Sequence, residues 1–185
     1  MKYCGDCGSS VSLRVPEGDH LPRHVCGQCG IIHYENPKII VGCVPEFDGR
    51  ILLCRRAIEP RHGFWTIPAG FMENGETLAA GAARECWEEA GAAVEIGSLL
   101  AVVNVVHAHQ VHVMFRARMA TPAFAAGAES LEVVLSRPED IPWADIAFPS
   151  VEFALRRYIA DRDSRLESHH FADFDRSHWS EATAT

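Results

Sequence analysis

Positive charge is scarce in this chain of 185 residues: 17 Lys and Arg stand against 25 Asp and Glu, a formal net charge of -8. Electrostatic binding to nucleic acid normally shows as a basic stripe or patch, so nucleic acid is not an expected partner. Long apolar runs are missing too; no stretch approaches the roughly 20 consecutive apolar residues of a membrane helix. Met1-Lys2-Tyr3-Cys4 does not open a signal or transit peptide. These absences lead to the expectation of a soluble, cytoplasmic chain with no membrane partner. No internal repeat is visible, which sets solenoids aside. A closed secreted disulfide frame is excluded as well, because the seven cysteines are odd in number.

What is present is ordinary globular composition, 48% hydrophobic and 23% charged, which excludes wholesale disorder. The length suits one full domain plus a small module. Four cysteines form two pairs, Cys4-Gly-Asp-Cys7 and Cys26-Gly-Gln-Cys29, with 18 residues between them. That spacing is the pattern of a four-thiolate zinc site. Each pair is followed by glycine, Gly8 and Gly30, where a side chain would crowd a tight knuckle. Two independent redox pairs would need neither the matched glycines nor the spacing. A site closed by four cysteines leaves no open position, so this Zn2+ is expected to be structural. Cys43, Cys54 and Cys86 lie in apolar segments and are expected as small buried hydrophobes.

Along the chain, residues 1–35 are expected to form a zinc ribbon of short strands, with a boundary at Asn36-Pro37. Residues 36–161 are expected to form the main domain, and 162–185 a weakly ordered C-terminal tail, rich in charge. Lys38–Phe47 and Arg50–Arg56 are β-branched, apolar-rich runs around Asp48-Gly49, a hairpin signal. A short strand over Gly63–Ala69 should follow, then a helix over Thr77–Ala90. Further strands are expected over Ala92–Val106, Val111–Met119 and Leu131–Ser136, and a second helix over Val151–Asp161.

The densest chemistry lies between Gly70 and Gly91. On a helical wheel Glu85, Glu88 and Glu89 share a face about 100° wide, while Ala79, Ala83, Cys86, Trp87 and Ala90 occupy the opposite side, expected to face the core. Like charges at this spacing repel by roughly 0.2–0.5 kcal/mol per pair, so a compensating partner is expected. Hard divalent cations with oxygen ligands, Mg2+ or Mn2+, are the natural candidates. Arg84 and Glu76 are placed to orient the cluster.

The run Gly70-x5-Glu76-x7-Arg84-Glu85-x2-Glu88-Glu89-x-Gly91 resembles the Nudix box, the signature of hydrolases acting on nucleoside diphosphates linked to another moiety. Cys86 and Ala92 stand at two flanking positions that are usually larger and aliphatic. The resemblance implies an α/β fold, an α/β/α sandwich with a mixed sheet, in which the box is loop–helix–loop. It implies Glu85 and Glu89 as principal Mg2+ or Mn2+ ligands, Glu88 as an additional ligand or water-holding group, and the Ala69 carbonyl as a further ligand. A later glutamate often serves such enzymes as metal ligand or base; Glu129 fits first by position and Glu132 second. Cations between protein and substrate would also let an acidic chain bind an anionic nucleotide.

On the substrate side, Arg55, Arg56 and Arg61 precede the box, and one or two of them are candidates to grip phosphate oxygens. Trp65 is a candidate to stack on a base, with core packing as the competing role. His107, His109 and His112 flank a turn and are expected to be ordinary hairpin residues. Among ribbon-bearing Nudix enzymes, NADH pyrophosphatases carry a Ser-Gln-Pro-Trp-Pro-Phe-Pro-x-Ser array that is missing here. The chain is instead similar to the branch that includes plant plastid FAD pyrophosphatase and bacterial relatives, through Glu35–Lys38, Val41–Cys43, His62–Thr66, Trp87–Ala92 and Glu129–Glu132. That implies cleavage of a dinucleotide such as FAD to FMN and AMP, with ADP-ribose and NADH as alternative substrates. A catalytically silent nucleotide sensor, or a ribbon acting as an interaction module, is the reading from another class. Dimers are common in the family, so a homodimer is an expectation of the resemblance alone.

Overall fold

The structure is a computed structural model that describes residues 1–175. The chain divides into two compact units at Asn36/Pro37. The first carries a three-stranded antiparallel sheet, β1 (Val11–Arg14), β2 (Arg23–Cys26) and β3 (Ile32–His33). Its two cysteine knuckles repeat one turn: the Gly8 N–H donates to the Cys4 carbonyl at 3.0 Å, and the Gly30 N–H to the Cys26 carbonyl at 3.1 Å. Both glycines have positive φ, 71° and 76°, which L side chains rarely adopt.

The second unit is built on a mixed sheet in the order β10-β5-β4-β9-β8-β11. Its strands are β4 (Lys38–Phe47), β5 (Arg50–Arg56), β8 (Val94–Val105), β9 (Gln110–Met119), β10 (Ser130–Ser136) and β11 (His170–Phe174). The β4/β9 and β8/β11 pairs are parallel. The strand expected over Gly63–Ala69 is broken at Pro68, which has no N–H to donate. The pieces are β6 (Trp65–Thr66) on β5 and β7 (Ala69–Phe71) on β4.

Alternation along the strands sorts the core into two layers. Helix α1 (Leu78–Ala90) packs with Val41, Cys43, Leu52, Cys54 and Met119; helix α2 (Pro149–Ser164) packs with Val44, Leu53, Leu100, Val103 and Met114. Cys43, Cys54 and Cys86 are fully buried in the α1 layer. Thr77 caps α1 by accepting the Ala80 N–H at 3.1 Å, and Gly91, at φ 57°, ends it.

Two expectations need correction. Trp87 is not in the core but 62% exposed, and the buried residues of α1 are Gly81, Ala82, Glu85, Cys86, Glu89 and Ala90. The buried arc is centred near ~50° on the wheel, between the two faces expected. Two carboxylates are therefore turned inward. The tail is also not weakly ordered over its described part: α2 runs on to Ser164, and His170–Phe174 adds a parallel strand to β8. Ala172 and Phe174 face inward while Phe171 and Asp173 face out, a short alternation that the charge-rich composition hides. Residues 176–185 lie outside the described residues.

The strand is tied to the domain by Asp161, 8% exposed in its side chain. Its carboxylate accepts from the Arg116 guanidinium, from His170 Nε2 at 3.0 Å and from the Ser168 N–H at 3.3 Å. Asp161→Ala leaves a buried guanidinium without its carboxylate. The expected loss is about 3 kcal/mol of unfolding free energy, read as a lower midpoint in urea at unchanged slope.

Candidate active site

The turn Phe71–Glu76 is held by one side chain. Glu76 accepts the Glu73 N–H at 2.7 Å, and Arg84 donates to Glu76 through Nε at 3.1 Å and Nη2 at 2.8 Å. The same guanidinium reaches Glu85 at 2.7 Å, Glu88 at 3.0 Å and the Phe71 carbonyl at 3.1 Å. One cation thus fixes the loop and orients two carboxylates. The guanidinium holds Glu76 down at about 2.

Glu85 and Glu89 are buried, 8% exposed each. Burial raises both carboxyls, Glu89 to about 8, with Glu85 adding repulsion and Arg56 acting against it. Gly70 is what lets Glu85 lie there: a Cβ on Gly70 would fall 2.4 Å from the Glu85 carboxyl. Glu129 arrives by a different device. The Ala125 N–H donates to the Ala90 carbonyl at 2.8 Å and the Gly127 N–H to the Glu89 carbonyl at 2.9 Å, strapping the loop to the end of α1. A Cβ on Gly127 would lie 1.8 Å from the Glu88 carbonyl oxygen, so only glycine permits the strap.

Glu85, Glu88, Glu89, Glu129, Arg84, Ala69 and Arg56 all line one cavity of about 900 Å3. Arg55, Arg61, Trp65 and Glu132 are not among its lining residues. Arg55 donates to the Gly63 carbonyl at 2.9 Å and pairs with Glu132 at 3.8 Å. Arg61 stacks on Phe64 at 4.8 Å, and Trp65 packs against the α2-side core. Alternation explains the split, since neighbouring strand residues Arg55 and Arg56 point to opposite faces.

Sequence reasoning missed the remaining wall. Phe148 stacks under Arg56 at 5.0 Å, and Ile40, Val105, Gln110, His112, Met114 and Phe174 complete it. His107 sits in a 3-10 turn (Val106–Ala108) and lines the cavity with His112. His109 has φ 53° and closes that turn. His112 is only 9% exposed, and burial lowers it to about 4. Its Nε2 lies 3.0 Å from Gln110 Oε1, while Nδ1 has no hydrogen-bond partner among the described residues.

In the ribbon, the ligand atoms of Cys4, Cys7, Cys26 and Cys29 all lie within 4.8 Å of one another. Backbone N–H groups of Cys29 and Gln28 hold the Cys26 thiol below the usual range. His33 Nε2 lies 3.2 Å from the Cys4 sulfur. Four converging sulfurs, with the Cys7 and Cys26 thiols both held below the usual range by hydrogen bonds, are the donor set that zinc takes. The hard carboxylates of the cavity suit Mg2+ or Mn2+ instead.

Residues 36–161 match the NUDIX domain family model, and residues 2–35 match that of the Nudix N-terminal zinc ribbon. The chain belongs to the Nudix hydrolase family, in the form that carries a ribbon before the catalytic fold. A NUDIX hydrolase from Nitrosomonas europaea is 51% identical in its crystal structure, with TM-score 0.92 over 95% of this chain and 99% of that one. A MutT-like protein of Streptomyces ambofaciens is 34% identical over 55% of this chain and 64% of its own length. The NAD-capped RNA hydrolase NudC of Chromobacterium violaceum is 37% identical over 51% of this chain and 34% of its own. An ADP-ribose pyrophosphatase of Methanocaldococcus jannaschii is 38% identical over 38% of this chain and 42% of its own. The matched stretch thus spans between about a third and just under two thirds of these curated relatives. Among the described residues no helix is long and apolar enough to cross a membrane.

Proposed function

We propose that the chain hydrolyses the diphosphate of a nucleoside diphosphate joined to a second moiety, with FAD as its substrate and FMN and AMP as products. The observation that carries the chemistry is the pair of inward-turned carboxylates, Glu85 and Glu89, raised by burial at the end of a cavity that Arg56 and Glu129 also line. Buried carboxylates without enough positive charge are stabilised by cations. Glu85, Glu89 and the Ala69 carbonyl would hold Mg2+ or Mn2+, with Glu88 beside them. Bound there, the cations would neutralise the diphosphate and acidify a water molecule.

The chain's own groups account for the rest. Arg84 keeps Glu85 and Glu88 oriented. Arg56, seated on Phe148 and tied through Nε to the Pro60 carbonyl at 2.9 Å, would grip a phosphate oxygen with its terminal N–H groups. Glu129, exposed and among the residues lining the cavity, would accept the proton of the attacking water at a carboxylate oxygen. The water oxygen bonds one phosphorus, the bridging P–O bond breaks, and the bridging oxygen leaves on the other phosphate.

FAD, rather than a shorter nucleotide, is favoured by the size of the cavity and by the resemblance of the segments around Trp65 and Trp87. The test is phosphate release, coupled to a phosphatase, from FAD, NADH, ADP-ribose and a nucleoside triphosphate, each in Mg2+ and in Mn2+. A kcat/KM for FAD at least roughly tenfold above the others is the expected result. Preference for ADP-ribose or NADH keeps the chemistry and replaces the substrate. No hydrolysis of any of them by folded, zinc-loaded protein supports the silent sensor instead.

A further inference from the structure

The cavity is longer than the chemistry requires. Strand register runs from Ile40 to His112, from His112 to Val103, and from Val105 to Phe174. That path crosses three inter-strand steps, roughly 14 Å, from the β4 side near the carboxylates to the last strand. The two arginines of the lining belong to the carboxylate end: Arg84 bonds Glu76, Glu85 and Glu88, and Arg56 feels Glu89 most strongly among the nearby acids. The lining residues on β8, β9 and β11 include no Lys or Arg. Among the described residues, none of this lining offers a phosphate a guanidinium or ammonium partner.

We propose, on the basis of the diphosphate reading above, that this arm is a second binding site, for the planar ring of the moiety attached to one side of the diphosphate, and that Phe174 and His112 determine which ring it takes. Phe174 supplies a flat wall, held edge-on against Phe153 at 5.9 Å and 87°, and Phe148 supplies another aromatic surface. Such walls favour the π-face of a heteroaromatic ring. His112 supplies a polar requirement. Being neutral, and donating Nε2–H to Gln110 Oε1, the ring keeps Nδ1 as a hydrogen-bond acceptor. The ring that fits therefore carries an N–H donor, as a flavin imide, a nicotinamide amide or an adenine amino group does. The wall itself depends on β11, the strand tied down by Asp161.

Equilibrium binding of the three product halves, FMN, nicotinamide mononucleotide and AMP, tests the site without requiring turnover. Wild type, Phe174→Leu and His112→Phe are compared, with Mn2+ affinity measured on each by electron paramagnetic resonance. The expected result is a roughly tenfold loss of affinity for one nucleotide in both variants. The other two nucleotides and Mn2+ should bind as before, and the affected substrate should show raised KM with kcat nearly unchanged. Unaltered binding of all three overturns the proposal, as does failure of all three to bind wild type. A parallel loss of Mn2+ affinity also overturns it, since it would mean general damage. Selective nucleotide loss in a protein that hydrolyses nothing would keep this site and discard the diphosphate reading.

Discussion

Glu89→Gln is expected to lower kcat by roughly 1000-fold while leaving the fold intact, because it removes one anionic ligand and keeps the shape. Steady-state rates at saturating Mn2+ check this, and an unchanged kcat would remove Glu89 from the centre. The same variant has a signature in protein without Mg2+ or Mn2+. A carboxyl whose folded value is raised from 4.5 to about 8 stabilises the fold fully below 4.5, and that contribution is lost as pH rises through 8. His112, lowered to about 4 from 6.5, acts with opposite sign, its contribution being lost as pH falls below 6.5. Between pH 6.5 and 8 the His112 contribution no longer changes, so wild type stripped of Mg2+ and Mn2+ but keeping zinc on its cysteines should lose about 2 kcal/mol through Glu89. Thermal melts of Glu89→Gln should be flatter across that window.

Removing zinc is the second large effect. A unit of this size has little core of its own, and thiolate zinc sites contribute about 10–16 kcal/mol to small ribbon-like folds. A strong chelator, or Cys26→Ser, should release one zinc per chain and collapse the dispersed NMR signals of residues 1–36. Signals from Pro37 onward should persist, because the main unit has its own core. Dispersed ribbon signals in fully zinc-free protein would show that the four sulfurs are not what holds that sheet.

Features written in local patterns were legible before any coordinates. The paired cysteines with their glycines announce the ribbon, and Lys38–Phe47 and Arg50–Arg56 carry both β-branched residues and a turn signal, so their bounds are those of β4 and β5. The box residues converge because they are local to one loop and helix. What failed depended on packing at a distance. The wheel placed Trp87 inside because it weighs apolarity alone; the cavity beside α1 turns Glu85 and Glu89 inward and leaves the indole outside. Arg55 lies on β5 next to Arg56 and so faces the other way, while Arg61 lies in the turn after that strand, stacked on Phe64; neither placement can be read from the run of arginines alone. Phe148, His112 and Phe174 are gathered from three distant segments, and no spacing links them. Glu129 was reached only through its position in the family resemblance; the close approach of Gly127 to the Glu88 carbonyl, which fixes that loop, shows only in the structure.

Strand β11 follows every other described strand in chain order, and this has a consequence for synthesis. Domains begin to fold as the chain emerges, N-terminal parts first. The ribbon and the carboxylate helix leave the ribosome well before residues 170–174. Until those residues arrive, β8 presents an open row of backbone donors and acceptors, the kind of edge that captures strands from other chains. The interval between the emergence of β8 and of β11 is thus when the nascent chain is most exposed to mispairing, and a ribosomal stall in that interval would leave the hydrolytic centre assembled beside an unprotected edge.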